Sequence, residues 1–149
     1  MQNYMKKAYA QALLAKKNDE VPIGAVIVKD NKVVSRAYNT RNKTQNAICH
    51  AEVLAISKAC KKMKSWRLDG CEIYVTLEPC PMCLGAILNA RINKLYFGAF
   101  DKTGSPNLLN TILSDNRLNH KTKVQGGLME NECANLISSF FQDKRNTPN

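Results

Sequence analysis

His50 and Glu52 stand two positions apart, and Cys80 and Cys83 follow thirty and thirty-three positions after the histidine; no other feature of the chain constrains it as tightly. One imidazole and two thiolates are donors that a divalent ion such as zinc accepts in a tetrahedral arrangement. A chain that uses all three must fold so that the Cys-x-x-Cys run lies against the His-x-Glu run. Structural zinc sites are closed by four protein groups, whereas sites that carry out chemistry keep one position for water. Three donors leave that position open, and Glu52 beside it is placed to exchange protons with the water. This is the make-up of a hydrolytic centre.

The spacing also predicts local structure. Residues two apart on a regular helix point away from each other, so His50 belongs at an entry turn rather than mid-helix. Ala51 to Lys62 places Val53, Leu54, Ile56 and Ala59 on an apolar side with Lys58, Lys61 and Lys62 opposite, which predicts a helix starting at the His-x-Glu run. Pro79 or Pro81 suits the opening of a second helix, where a missing N–H is dispensable, and Cys80 and Cys83 then share one face. Two helix N-termini meeting at the ion help to hold the cysteines as thiolates.

Along the rest of the chain, Met5, Ala8, Tyr9, Ala12 and Leu13 predict an amphipathic helix over Tyr4 to Lys17. Ala25 to Lys29 and Lys32 to Tyr38 read as a hairpin around Asp30-Asn31, followed by a polar loop from Asn39 to Asn46. Strands are expected at Glu72 to Thr76, Lys94 to Gly98 and Lys123 to Gln125, a turn-rich loop at Lys102 to Asn107, and a short helix at Leu108 to Leu113. A last helix from about Glu130 to Lys144 sets Cys133, Leu136, Ile137, Phe140 and Phe141 on one face. Helices alternating with short apolar strands imply an α/β/α architecture, a mixed sheet of about five strands covered on both sides. The strand order does not follow from the pattern.

A chain of 149 residues fits one domain, residues 1–149, able to bury roughly 68–70% of its unfolded surface. Its net charge is +10 and its isoelectric point 9.4, which favours polyanions, nucleic acid first and an acidic membrane second. The first residues lack the apolar run of a signal peptide, and no segment is long enough to span a bilayer, so a cytoplasmic protein is expected. Two of the six cysteines sit at metal spacing, which favours a reducing compartment over disulfides. Cys49, Cys60, Cys71 and Cys133 are then expected as small buried side chains.

At His50-Ala51-Glu52 and Pro79-Cys80-Pro81-Met82-Cys83 the chain carries the signature of zinc nucleobase deaminases. It resembles the cytidine-deaminase-like superfamily, and within it the bacterial tRNA-specific adenosine deaminases. The likeness runs from Glu20-Val21-Pro22-Ile23-Gly24-Ala25 through Tyr74-Val75-Thr76-Leu77-Glu78, Phe97-Gly98-Ala99 and Asn119-His120 to Phe140-Phe141. The resemblance implies a three-layer fold on a five-stranded sheet and conversion of the wobble adenosine of a tRNA anticodon loop to inosine. It also implies a homodimer and one zinc per chain, held by His50, Cys80 and Cys83 with Glu52 as proton shuttle. By the same likeness Asn39 and Ala51 contact the target nucleoside, and Asp101, Lys102, Asn119, His120, Phe141, Lys144 and Arg145 are RNA contacts.

Other readings of these residues stand beside that one. The stretch Pro81 to Ile87 looks as much like bacterial guanine deaminases, so the same chemistry on a free base or nucleotide, guanine or a cytosine compound, is the alternative substrate class. A zinc-stabilised RNA-binding module without chemistry requires a fourth protein ligand, which Cys49, Cys60, Cys71 or His120 would supply. Asn39 at a strand end serves equally to cap a turn. Trp66 reads as a core or interface anchor, and Lys58, Lys61, Lys62, Lys64 and Arg67 as a solvated helix face that adds to an RNA-attracting field.

Overall fold

The computed structural model describes residues 1–103 and 107–146. Five strands, β1 (Gly24–Lys29), β2 (Lys32–Tyr38), β3 (Glu72–Leu77), β4 (Lys94–Ala99) and β5 (Lys123–Gln125), form one sheet in the order β2-β1-β3-β4-β5. β1 is antiparallel to β2 and to β3, while β3, β4 and β5 run parallel. The mixed five-stranded sheet is as expected. Its order, with β1 between its hairpin partner and β3, is new.

Among the described residues six helices surround it: α1 (Gln2–Lys17), α2 (Arg41–Thr44), α3 (Ala51–Met63), α4 (Pro81–Asn89), α5 (Leu108–Leu113) and α6 (Glu130–Asn146). Side chains alternate across a strand, so each central strand feeds two cores. Ile27, Ile73, Val75, Leu95 and Phe97 pack with α3, α4 and α5, whereas Val26, Val28, Tyr74 and Tyr96 pack with α1 and α6. Because β1, β3 and β4 are buried on both faces, they appear in the sequence as near-continuous apolar runs.

Three expectations need correction. The polar loop after Asn39 contains the one-turn helix α2, held by bonds that its own sequence does not reveal. On α1 the buried stripe is Met5, Ala8, Ala12 and Ala15, while Leu13 is 44% exposed. Small residues win there because α1 lies directly on β1: a Cβ on Gly24 would stand 2.2 Å from the Ala8 carbonyl oxygen. Third, Cys71 and Cys133 are buried, but Cys49 and Cys60 only half so, and all six thiols are free. The loop expected at Lys102 to Asn107 is described at its ends only, since residues 104–106 lie outside the described residues.

Candidate metal centre

The backbone just ahead of α3 and of α4 is extended: His50 is the N-cap of α3, with φ −76° and ψ 153°, and Cys80 that of α4, with φ −70° and ψ 167°. These non-helical residues settle the pointing problem at each motif. His50 lies off the helix while Glu52 sits in its first turn, and Pro81 opens α4 so that Cys83 falls one turn below Cys80. The His50 Nδ1 is 3.5 Å from Cys83 Sγ and 3.8 Å from Cys80 Sγ, and the three donor atoms lie within 4.8 Å of one another. They are the only such group among the described residues.

The electrostatics around the group follow from burial and helix ends. The Cys83 thiol donates to Cys80, and with the backbone N–H groups of Cys83 and Met82 this outweighs burial and lowers Cys80 to about 5. Cys83, its proton committed to Cys80 and itself fully buried, is pushed up. Glu52 is 4% exposed, and burial raises its carboxyl from the ordinary range to about 7. A carboxyl placed there gives up and takes back a proton readily near neutral pH.

No fourth protein donor closes the group among the described residues. His120 is bound to the Ile92 carbonyl at 2.7 Å, Cys71 lies in the core with its Sγ 3.9 Å from Met63 Sδ, and Cys60 faces the Trp66 carbonyl. Cys60 lies in the last turns of α3 and Cys71 just ahead of β3, at the end of these elements away from His50 and Cys80.

Asn39 is buried and its Oδ1 accepts the Arg41 N–H at 3.0 Å, so it does cap the turn into α2. Its Nδ2 makes a long 3.4 Å bond to the Val21 carbonyl. The adjoining Thr40 N–H donates to the Cys49 carbonyl, which ties this turn to the residue before His50. Ala51, fully buried, is the first residue of α3, where backbone N–H groups lack intrahelical partners.

Asp101, Lys102, Phe141 and Arg145 gather around one hollow of about 500 Å³, whose walls also include Leu77 and Ile137. Asp101 borders a second, smaller hollow beside Cys80, and its N–H donates to Glu78 Oε1 at 2.9 Å. Lys144 instead pairs with Asp19. Asn119 and His120 lie away from this group, in a hollow with Asn89, Arg91 and Arg117.

Glu20 is the residue that sequence reasoning passed over. It is 1% exposed, and its two oxygens accept the N–H groups of Asn42 at 2.9 Å and Lys43 at 2.7 Å. Its carboxylate thus fixes α2 and, through Thr40 and Cys49, the approach to His50. The only sequence sign was an acid directly ahead of the Val21-Pro22-Ile23 run; its partners lie far downstream.

The sequence profile of the MafB19-like deaminase family matches residues 1–145. A tRNA-specific adenosine deaminase of Bacillus subtilis (strain 168) is 47% identical over 143 residues, 95% of this chain and 89% of that protein. A solved structure from work on A-to-I editing by tRNA:A34 deaminases at the wobble position is 39% identical, with a TM-score of 0.85 over 91% of this chain and 99% of that one. The guanine deaminase of Bacillus subtilis is 32% identical, with a TM-score of 0.65 over 99% of this chain and 94% of that one.

Proposed function

We propose, for a chain that belongs to the MafB19-like deaminase family, hydrolytic conversion of the wobble adenosine of a tRNA anticodon loop to inosine. The observation that carries this reading is the three-donor group where two helix N-termini meet, with Glu52 buried against it. The substrate assignment follows the order of likeness, 47% identity to a tRNA-specific adenosine deaminase against 32% to a guanine deaminase.

The metal is zinc on this reading. Bonds of about 2.0–2.1 Å to nitrogen and about 2.3 Å to sulfur at a tetrahedral angle separate the two donors by about 3.6 Å. The spacings of 3.5 and 3.8 Å from His50 Nδ1 lie on either side of that value. Bound there, zinc supplies Lewis acidity that lowers the pKa of a water towards neutrality.

Glu52 takes a proton from the attacking water and delivers it to N1 of the adenine as oxygen adds at C6. A second transfer through Glu52 protonates the amino group, and the C6–N bond breaks to release ammonia. One water is consumed and inosine remains. Asn39, with Oδ1 fixed by Arg41, keeps a hydrogen on Nδ2 to donate to the nucleoside. Unstacked loop bases can be drawn out into such a pocket, and Phe141 and Arg145 offer a ring and a cation to the bases and phosphates that follow. The enzyme acts as a cytoplasmic homodimer in this reading, in keeping with the resemblance in sequence. No helix among the described residues is long and apolar enough to cross a membrane.

The zinc-loaded protein incubated with an anticodon stem-loop carrying a wobble adenosine is expected to yield inosine, and free guanine, adenine and cytidine to yield no ammonia. Turnover of a free base with no inosine in the RNA overturns the substrate assignment.

A further inference from the structure

Trp66 is 62% exposed, the most exposed of the large hydrophobic side chains in the described chain. Of the two sequence readings of Trp66, core or interface anchor, this exposure rules out the core. Its ring is flanked by two guanidinium groups, Arg67 at 5.5 Å and Arg91 at 5.9 Å from the centroid. The two arginines come from different connections, the loop after α3 and the loop after α4. The Leu68 N–H bonded to the Ala90 carbonyl at 2.7 Å ties those loops together.

The surroundings are basic. Lys61 and Lys62 lie exposed in the last turn of α3, and Lys64 follows at its C-cap. Among the described residues no carboxylate pairs with these three lysines or with Arg91; the local acids Asp69 and Asp115 are taken by Arg67 and Arg117. On its other side Arg91 borders a hollow of about 180 Å³ with Arg117, Asn119 and His120. This surface is remote from the metal centre. α3 starts at the centre and ends here, and its thirteen residues at a rise of 1.5 Å each span roughly 20 Å.

An exposed aromatic ring with two guanidinium groups 5.5 and 5.9 Å from its centroid, in a field of unpaired lysines, is the chemistry that stacks an unpaired base and neutralises its flanking phosphates. We propose that the surface where α3 and α4 end is a second RNA-contact surface, which engages an unpaired base and its phosphates in a part of the tRNA outside the anticodon loop. The inference rests on the tRNA reading above. Asn119 and His120, for which the family resemblance implied RNA contacts, line the hollow beside Arg91.

The test titrates zinc-loaded wild-type and Trp66→Ala proteins with full-length tRNA and with its isolated anticodon stem-loop, reading binding by fluorescence anisotropy and inosine in both RNAs. Trp66→Ala is expected to weaken tRNA binding about fivefold or more, the low end of a base–aromatic stack, and to leave stem-loop binding and deamination unchanged. Lys62→Gln, with an unchanged circular-dichroism melt, is expected to lower the log–log salt slope by about 0.7 for the tRNA alone. Equal wild-type affinity for the two RNAs overturns the proposal, as does an equal effect of Trp66→Ala on both. Unchanged RNA binding with a shifted sedimentation coefficient overturns it in favour of a contact between protein chains. Absence of inosine from the stem-loop with wild-type protein refutes the deaminase reading instead, and tRNA binding that still depends on Trp66 would then stand by itself.

Discussion

The carboxylate of Glu20 accepts the backbone N–H of Lys43 at 2.7 Å, and its other oxygen that of Asn42 at 2.9 Å. A buried carboxylate on two amides is a charge-assisted pair, and Glu20→Gln sets an NH2 against one of those donors. The change is expected to cost about 2 kcal/mol, a fall of about 4–8 °C in Tm for a chain of this size. Because Asn39 and the approach to His50 hang on the same turn, KM for the stem-loop should rise more than kcat falls. Thermal denaturation with steady-state kinetics checks both.

Glu52→Gln keeps the shape of the side chain and removes its ability to carry a proton. Metal content and melting temperature should stay at wild-type levels while inosine formation falls by about 10²–10⁴-fold, the usual contribution of a positioned acid–base group. Retained turnover in a metal-loaded mutant would falsify the proton-shuttle role.

Removing the metal tests the donor set. One zinc per chain is expected by elemental analysis, lost together with activity on chelation and in Cys83→Ala. Cobalt put in its place should give the absorption of a tetrahedral site with two thiolates and one exchangeable position. A spectrum of four protein donors would point to a structural site instead.

The two cations at the end of α6 should behave differently towards RNA. Arg145 borders the hollow that holds Phe141, whereas Lys144 is engaged with Asp19 and lies 5.7 Å from the centroid of the Phe140 ring. Arg145→Gln is expected to lower the salt slope of stem-loop binding by about 0.7, the share of one phosphate contact. Lys144→Gln should change it less.

Gly24→Ala drives a methyl to 2.2 Å from the Ala8 carbonyl oxygen and 2.4 Å from the Ala12 amide, both backbone atoms of α1 that cannot rotate aside. A loss of about 3 kcal/mol is expected, the upper part of the usual range for overpacking. A denaturant midpoint unchanged from wild type would show that α1 does not press on β1 in solution.

Most of this fold was legible because its signals are local. The strands and helices follow from apolar periodicity, and the meeting of His50, Cys80 and Cys83 from residue types that could share one ion. The helix-start placement of His50 was legible too, since residues two apart on a helix point away from each other, and that of Cys80 from the prolines beside it. What only the tertiary structure decided depends on partners distant in sequence. β1 takes its place between β2 and β3 through pairings such as Val26 with Tyr74, which leave no trace in either strand alone. Ala8 and Ala12 are core and Leu13 is not, because Gly24 brings the backbone of β1 close to α1. Glu20 is the clamp of α2, which its own neighbourhood in sequence does not reveal, because the amides that satisfy it come from a stretch 22 and 23 residues away. The RNA-contact set divided into Phe141 and Arg145 in one hollow and His120 in another, because the strands and α3 carry the chain from one end of the sheet to the other. Local pattern records what each segment buries, while the long-range contacts that choose a neighbour, an edge or a buried charge's partner exist only once the chain has closed on itself.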